Sequence, residues 1–402
     1  MNKIKLGIIC EGKAHPDKRV PFTPQQCTEI QQKYPHVEVI IEPSPYRCFT
    51  DAEYDALDLR LSKDLSECAI LMGVKEVPIE QLIANKKYLF FSHTIKKQAH
   101  NKRLLQAILQ KNIQLIDYEC LKDKNGNRIL GFGYYAGIVG TYNGLLTYGK
   151  KYNLFSLKPA HLCHDKDELE TELKKVKLPA LKILITGGGR VASGSLEILN
   201  LLNIKKVSVE EYKNQTFKEA VFCQLHPQDY NIPLNGLQWD HEDFIAHPQN
   251  YESTFHLYTK QTDLYIACHF WDAKAPVFFH KQDIDSPDFK IAVIADISCD
   301  IKGPIPTTTR ASTIEDPIYD INRKTFLEEN AFSSLDNITV MAVDNLPCEL
   351  PRDSSNGFGN DLLNKILPHL VVEDTDKIIE HASITLKGKL TSAFTYLNDY
   401  VQ

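Results

Sequence analysis

No stretch of this 402-residue chain approaches the ~18 uninterrupted apolar residues that a membrane-spanning helix requires. The short apolar start, Met1 to Cys10, falls well below a signal-peptide core and reads as a first strand. A basic excess is missing too. There are 46 Lys and Arg against 52 Asp and Glu, giving a formal charge of -6 and no basic run, so neither nucleic acid nor an acidic membrane is an expected partner. The ten cysteines stand singly, without C-x-x-C or zinc-finger spacing. They are expected to be reduced thiols in a cytoplasmic protein, several of them in the core, with no metal cluster. Internal repeats and low-complexity tracts are absent as well.

What is present is the composition of a globular protein, 43% hydrophobic and 24% charged, at a length that suggests two domains. The chain is organised around Leu181-Lys-Ile-Leu-Ile-Thr-Gly-Gly-Gly-Arg-Val-Ala-Ser-Gly194. An apolar run stops in three glycines and passes into Ser195–Leu202, whose apolar positions recur at helical spacing. Gly187, Gly189 and Ala192 fit the G-x-G-x-x-G/A fingerprint: one for the turn, one for close approach of a pyrophosphate, one for helix–strand packing. The helix N-terminus then offers unpaired N–H groups to the phosphates. A further apolar run, Val207-Ser-Val209, ends in Glu210-Glu211, 21 and 22 positions after Gly189. That is close to the ~20 expected of the carboxylate that holds a ribose hydroxyl, and it favours NAD over NADP. Lys205, Lys206 and Lys213 nearby leave NADP open.

Ahead of this unit, strands and helices alternate, which predicts an α/β domain with a mainly parallel sheet. Strands are expected at Lys5–Cys10, Val37–Glu42, Ala69–Lys75, Tyr88–Ser92 and Ile113–Glu119. Helices are expected after Thr23 and Pro24, around Ile79–Ala84, and over Lys97–Gln110. The loop Glu11–Arg19 is polar, and the glycine- and aromatic-rich run 131–140 introduces a helix through Tyr148 and marks the crossover into the second domain. Asp165–Lys177 reads as a solvated helix, with later strands at Leu264–Cys268 and Lys290–Ala295 and a mostly helical pattern from Val343 on. No regular element can be placed between Asn214 and Gln261.

Ligands of open parallel sheets bind beyond the C-terminal strand ends. Lys75-Glu76, Ser92-His93 and Glu119 sit at such ends, and Arg19 closes the loop after the first strand. Any one of them alone is most simply a solvated or capping residue. Together they suit proton transfer by a desolvated lysine or a histidine, and carboxylate binding by an arginine fork. Asp296 and Asp300 follow a strand and could reach a nicotinamide, or could simply hold a turn. Cys268 and Cys299, with little nearby to favour a thiolate, read as packing residues.

Several segments resemble the saccharopine dehydrogenase and lysine–ketoglutarate reductase family of the alanine dehydrogenase/transhydrogenase superfamily. They are Gly73-Val-Lys-Glu76, Phe90-Phe-Ser-His-Thr-Ile-Lys96 with Gln98, Leu115–Glu119, Arg128 with Phe132-Gly-Tyr-Tyr-Ala-Gly137, Ala295–Asp300, Thr313-Ile-Glu-Asp-Pro317 and Val343–Pro351. The resemblance covers nearly the whole chain. It implies two Rossmann-like domains with a cleft between them: a substrate domain of residues 1–137 and 344–402, and a dinucleotide domain of 138–343. It further implies Lys75 and His93 as acid–base pair, and Arg19, Glu76, Lys96, Gln98, Glu119, Arg128 and Tyr134 about the substrate, with Asp296 added from the strand-end reading. Gly187, Gly188, Gly189, Arg190, Val191, Glu211, Cys268, His269 and Phe270 would border the dinucleotide, joined by Glu210 from the spacing.

The implied reaction interconverts saccharopine with L-lysine and 2-oxoglutarate by NAD(P)-linked hydride transfer. Two other readings stand beside it: an alanine-dehydrogenase-like amino acid dehydrogenase, and a nucleotide-binding subunit without catalysis. Alanine dehydrogenases usually carry Asp-Gln-Gly-Gly where this chain has Asp296-Ile-Ser-Cys-Asp300, which argues against the first.

Overall fold

The computed structural model describes residues 3–12 and 17–402. Residues 13–16 of the expected polar loop lie outside the described residues, as do Met1 and Asn2 of the expected first strand. The chain divides into two compact units, one of residues 1–132 and 351–402 and one of residues 133–350.

The first unit is built on a six-stranded parallel sheet: β1 (Ile4–Ile8), β2 (Val37–Ile41), β3 (Arg60–Leu61), β4 (Ile70–Met72), β5 (Lys87–Phe90) and β6 (Gln114–Asp117). Its order is β3-β2-β1-β4-β5-β6, so the topology reverses between β1 and β4. Alternate residues feed two cores. Leu6, Ile8, Val39, Ile41, Met72, Leu89 and Ile116 face one side, and Ile40, Leu71, Tyr88, Phe90 and Leu115 the other. Burial on both faces is why these strands read as continuous apolar runs. The C-terminal segment covers both sides, with Phe358, Leu362, Ile366 and Leu370 on the first and Ile384, Phe394, Leu397 and Tyr400 on the second. Thr23 caps the Pro24–Lys33 helix as its sequence predicts, accepting from Gln26 N while Gln26 Oε1 accepts from Thr23 N.

The second unit holds an eight-stranded sheet. Its strands are β7 (Lys182–Thr186), β8 (Lys205–Lys206), β9 (Val221–Leu225), β12 (Leu264–Ala267), β13 (Val293–Asp296), β14 (Ile318–Ile321), β15 (Glu328–Asn330) and β16 (Ile338–Met341), while β10 (Asn231–Pro233) and β11 (Tyr251–Ser253) form a separate hairpin. The order is β15-β14-β16-β13-β12-β7-β9-β8, with β14 and β15 antiparallel at one edge and the reversal between β7 and β12.

Several elements differ from the sequence reading. The Ile79–Ala84 pattern forms only a 3-10 turn at Ile79–Gln81. Val207–Val209 is not a strand: Ser208 caps the Val209–Asn214 helix, and only Lys205–Lys206 pairs. The segment left unplaced contains β9, which lies directly beside β7. The units also divide at 132/133 and 350/351 rather than at 137/138 and 343/344. One continuous helix begins at Gly133, and Leu346 and Leu350 pack into the second unit's core.

The Gly133–Lys151 helix crosses the Arg190–Leu201 helix with backbones almost touching. A Cβ on Gly137 would lie 1.9 Å from Val191 O, and one on Gly194 1.9 Å from Tyr134 O. Gly189, by contrast, has open space around its missing side chain. Gly137→Ala and Gly194→Ala should therefore each lower stability by more than ~2 kcal/mol through overpacking, although alanine favours a helix by ~1 kcal/mol. Gly189→Ala should stay within ~1 kcal/mol of the parent. Urea unfolding of the three variants checks the contrast.

Candidate active-site residues and dinucleotide loop

In the first unit the polar groups gather beyond the ends of β1, β4, β5 and β6. Glu11, after β1, turns its carboxylate under the chain that leaves β4: Val74 N donates to Oε1 at 2.6 Å and Lys75 N to Oε2 at 3.2 Å. Burial pushes the Glu11 carboxyl up to about 8, against the lowering effect of those two donors. Lys75 is held by its backbone at the β1/β4 reversal, and Glu76 follows it. His93 leaves β5 in the left-handed region at φ 52, and its Nδ1 lies 2.6 Å from Glu76 Oε1. A non-glycine residue seldom takes that conformation, and here a buried network over-determines it. Asp117 Oδ2 accepts from Ser92 N at 3.0 Å and from Ser92 Oγ, which in turn lies 2.8 Å from Thr94 Oγ1.

Lys96 Nζ and Arg128 Nη1 approach Glu119 Oε1 at 3.8 and 3.5 Å, while the buried Oε2 has no hydrogen-bond partner. The Arg128 guanidinium lies 5.4 Å from the Phe91 ring centre. Arg19 is buried, not open. It forks onto Asp17, Nε to Oδ1 at 2.9 Å and Nη2 to Oδ2 at 2.5 Å, and sits over the Phe132 ring at 4.2 Å. Burial alone would raise the Asp17 carboxyl, but the Arg19 charge and hydrogen bonds hold it well below the usual range. Gln98 is exposed, with its carbonyl accepting from Tyr400 Oη. Tyr134 belongs to the second unit, on the helix that begins at Gly133.

In the second unit the glycine loop follows β7. Gly187 has φ 103, and a Cβ there would lie 2.5 Å from Cys268 O. Its carbonyl accepts from Gln224 Nε2 at 2.9 Å. Gly188 lies against the His226 ring, 2.9 Å from where a Cβ would be. Gly189 is the N-cap of the Arg190–Leu201 helix and supplies no side-chain cap, with Arg190 and Val191 in the first turn. Just beyond the end of the neighbouring strand β12, His269 Nδ1 lies 2.9 Å from Thr186 Oγ1, whereas its buried Nε2 has no hydrogen-bond partner. Burial drives the imidazole down to about 3, so it is neutral. Phe270 beside it is 92% exposed. Cys268 Sγ is 3.1 Å from Ser195 Oγ, and burial lifts its thiol to about 12. An uncapped helix start, open space at Gly189 and an orphaned ring nitrogen fit a dinucleotide phosphate and its neighbours.

Glu210 and Glu211 stand elsewhere than expected, and Asp296, at its expected strand end, takes the turn-holding role. Glu210 and Glu211 open the helix after β8, and Glu211 Oε2 accepts from Ser208 N and Oγ, both at 2.8 Å. The strand beside β7 on the side away from β12 is β9, which ends in Gln224 and Leu225 and is followed by His226, with no carboxylate among them. Asp296 is wholly engaged by its own loop, taking Ser298 N, Ser298 Oγ and Cys299 N on Oδ1 and Thr308 Oγ1 on Oδ2. The residues that sequence reasoning passed over are Glu11, Asp17, Asp117, Gln224 and His226. Glu11 and Asp117 carried the same strand-end signal as Glu76. The others depended on a strand, or on a loop conformation, that periodicity did not reveal.

The alanine dehydrogenase/PNT N-terminal domain model matches residues 7–139, and the corresponding C-terminal domain model matches residues 166–393. The chain belongs to the alanine dehydrogenase/PNT family. The alpha-aminoadipic semialdehyde synthase of Arabidopsis thaliana is 28% identical across 98% of this chain and 41% of that protein. The mitochondrial one of Rattus norvegicus is 28% identical across 95% and 46%. The chain thus spans less than half the length of these two relatives. A saccharopine dehydrogenase [NAD(+), L-lysine-forming] of Yarrowia lipolytica is 25% identical across 90% of this chain and 92% of that one. In fold, the chain resembles an L-alanine dehydrogenase structure with TM-score 0.65 at 14% identity, covering 99% and 100% of the two chains. Among the described residues no helix is long and apolar enough to cross a membrane, and no cluster of three or more His, Cys, Asp or Glu could hold a metal.

The raised Glu11 carboxyl has a consequence for stability. A folded-state value near 8 above an unfolded value near 4.5 stabilises the fold fully at acid pH, and this contribution disappears as pH rises from about 4.5 through 8. Glu11→Gln should flatten that part of the profile, its melting temperature falling less than the parent's between pH 5 and 8.5. Differential scanning calorimetry at several pH values measures it, and parallel curves would rule out a protonated Glu11.

Proposed function

We propose that the chain is a nicotinamide-dependent oxidoreductase acting at a C–N bond, interconverting saccharopine with L-lysine and 2-oxoglutarate. The observation that carries this reading is the first-unit constellation in which Lys75 is seated over Glu11 and His93 is joined to Glu76 at 2.6 Å. It is supported by relatives of matching length whose printed activity is NAD-linked saccharopine dehydrogenase.

Gly187 to Val191, with Cys268, His269 and Phe270, would hold the dinucleotide, the uncapped helix start taking the phosphates. When bound, the nicotinamide supplies hydride transfer to or from the carbon that carries the bridging nitrogen. Lys75 or His93 removes the proton from that nitrogen, so that loss of hydride leaves an imine. The same pair then takes a proton from the water that adds to the imine carbon, and returns one to nitrogen as the carbinolamine collapses to ketone and primary amine. Glu76 steadies His93 for both transfers. Lys96 and Arg128, held loosely by Glu119, would bind carboxylates of a tricarboxylate substrate, with Gln98 at the rim. Arg19, already committed to Asp17, would act by shaping the Phe132 wall. NAD is the cofactor we assign, from the relatives' printed activity. NADP is the alternative, because the end of β9 carries no carboxylate to repel a 2′-phosphate.

Lys75→Met and His93→Gln should each reduce turnover by ~10²-fold or more and reshape the pH–rate profile. Steady-state assays with lysine, 2-oxoglutarate and either NADH or NADPH would measure both, with pyruvate and ammonia as the competing substrate pair. Full activity in both variants, or faster turnover of pyruvate and ammonia, would discard the assignment.

A further inference from the structure

Two segments singled out in the sequence, Thr313–Pro317 and Val343–Pro351, are not used by the reaction above, yet they meet at a pocket of about 150 Å3 within the second unit. Asn143, Leu146 and Lys150 line it from one face of the Gly133–Lys151 helix, at the three- and four-residue spacing that aligns side chains. Ile318 and Met341, paired across β14 and β16, close it from the sheet, and Pro159, Ile314 and Pro317 complete apolar walls. Against these walls stands Glu349, 2% exposed. Its Oε1 accepts from Asn143 Nδ2 at 2.9 Å, and Oε2 lies 3.8 Å from His161 Nδ1. Lys150 and Glu315 are exposed, and His161 is half-buried, so the one deeply buried charged side chain in the lining is an acid.

A buried carboxylate in a mostly apolar pocket is costly unless a cation meets it. Asn143 is neutral, and the half-buried His161, its Nδ1 3.8 Å from Oε2 and its backbone also hydrogen-bonded to the carboxylate, is the one basic group beside it. The walls favour hydrocarbon, and the size admits a ligand of only a few heavy atoms. We propose that this pocket binds a small aliphatic primary amine, its ammonium directed to Glu349 and its stem against Leu146, Ile318 and Met341. An anion of the same size would find Lys150 only at the exposed mouth, opposite Glu315, and would meet the Glu349 carboxylate in the depth, so it binds more weakly. The site lies wholly within the second unit and stands independently of the reaction proposed above.

Isothermal titration of the full chain with n-butylamine hydrochloride, sodium butyrate and n-butanol at mildly alkaline pH tests this. The amine should bind one per chain with a Kd on the order of 1 mM, in keeping with five heavy atoms, and the acid and the alcohol at least ~10-fold more weakly. Glu349→Gln should weaken amine binding by ~10-fold or more. Ile314→Trp, at the half-buried rim, should block it without touching the acid. Butyrate binding as well as the amine, no heat from the amine, or unchanged affinity in Ile314→Trp would each overturn the proposal, even if Glu349→Gln does not fold. Unchanged affinity in a folded Glu349→Gln would reduce Glu349 to a structural tie between the long helix and its neighbouring turns.

Discussion

A parallel sheet covered on both faces leaves polar groups one place to emerge, the ends of its strands. Both units obey this constraint, and their chemistry follows from it. Glu11, Glu76, His93, Asp117 and Glu119 stand at or just beyond β1, β4, β5 and β6. The glycine loop, His226, His269 and Asp296 stand likewise at β7, β9, β12 and β13. In each unit part of the cluster lies where the strand order reverses, Glu11 with Glu76 between β1 and β4 in one and the glycine loop with His269 between β7 and β12 in the other. There, neighbouring connections depart in opposite directions and open a crevice beside the sheet.

What holds these end groups differs between the units. In the first, buried carboxylates organise the backbone. Glu11 braces the chain at Lys75, Asp117 braces the left-handed turn at His93, and Asp17 braces Arg19. Each is stabilised by N–H or guanidinium donors that would otherwise be left without partners in a dry site. In the second unit glycine does the organising. Gly187 reaches a conformation other residues avoid, and Gly137 and Gly194 let two helices close to backbone contact, which positions the start of the Arg190–Leu201 helix. An acidic framework suits residues that exchange protons and bind carboxylates, and a glycine framework suits close approach to a dinucleotide.

The lysine and histidine at the strand ends were legible because a strand-end position constrains a side chain whatever its sheet neighbours are. The glycine fingerprint was legible for a related reason: its turn, loop and helix are local. Glu210 and Glu211 lie on a helix and not at the end of a strand beside β7, because the ~20-residue spacing assumes that the strand after the nucleotide helix pairs with β7. In this chain that strand, β8, is a two-residue edge, and β9 takes the inner place. No local periodicity records which of two successive strands pairs with a third.

The order of residues along the chain by itself determined the α/β class, the glycine turn, the capped Thr23 helix and the strand-end positions of Lys75 and His93, because each depends on neighbours within a few residues. Only the tertiary structure decided that Glu11 braces Lys75, that Arg19 is spent on Asp17, that Asp296 ties its own loop, and that Gln224 and His226 flank the glycines. Those outcomes depend on which strand lies beside which, and on how much water reaches a carboxylate. Both are properties of the packed sheet that no single segment carries.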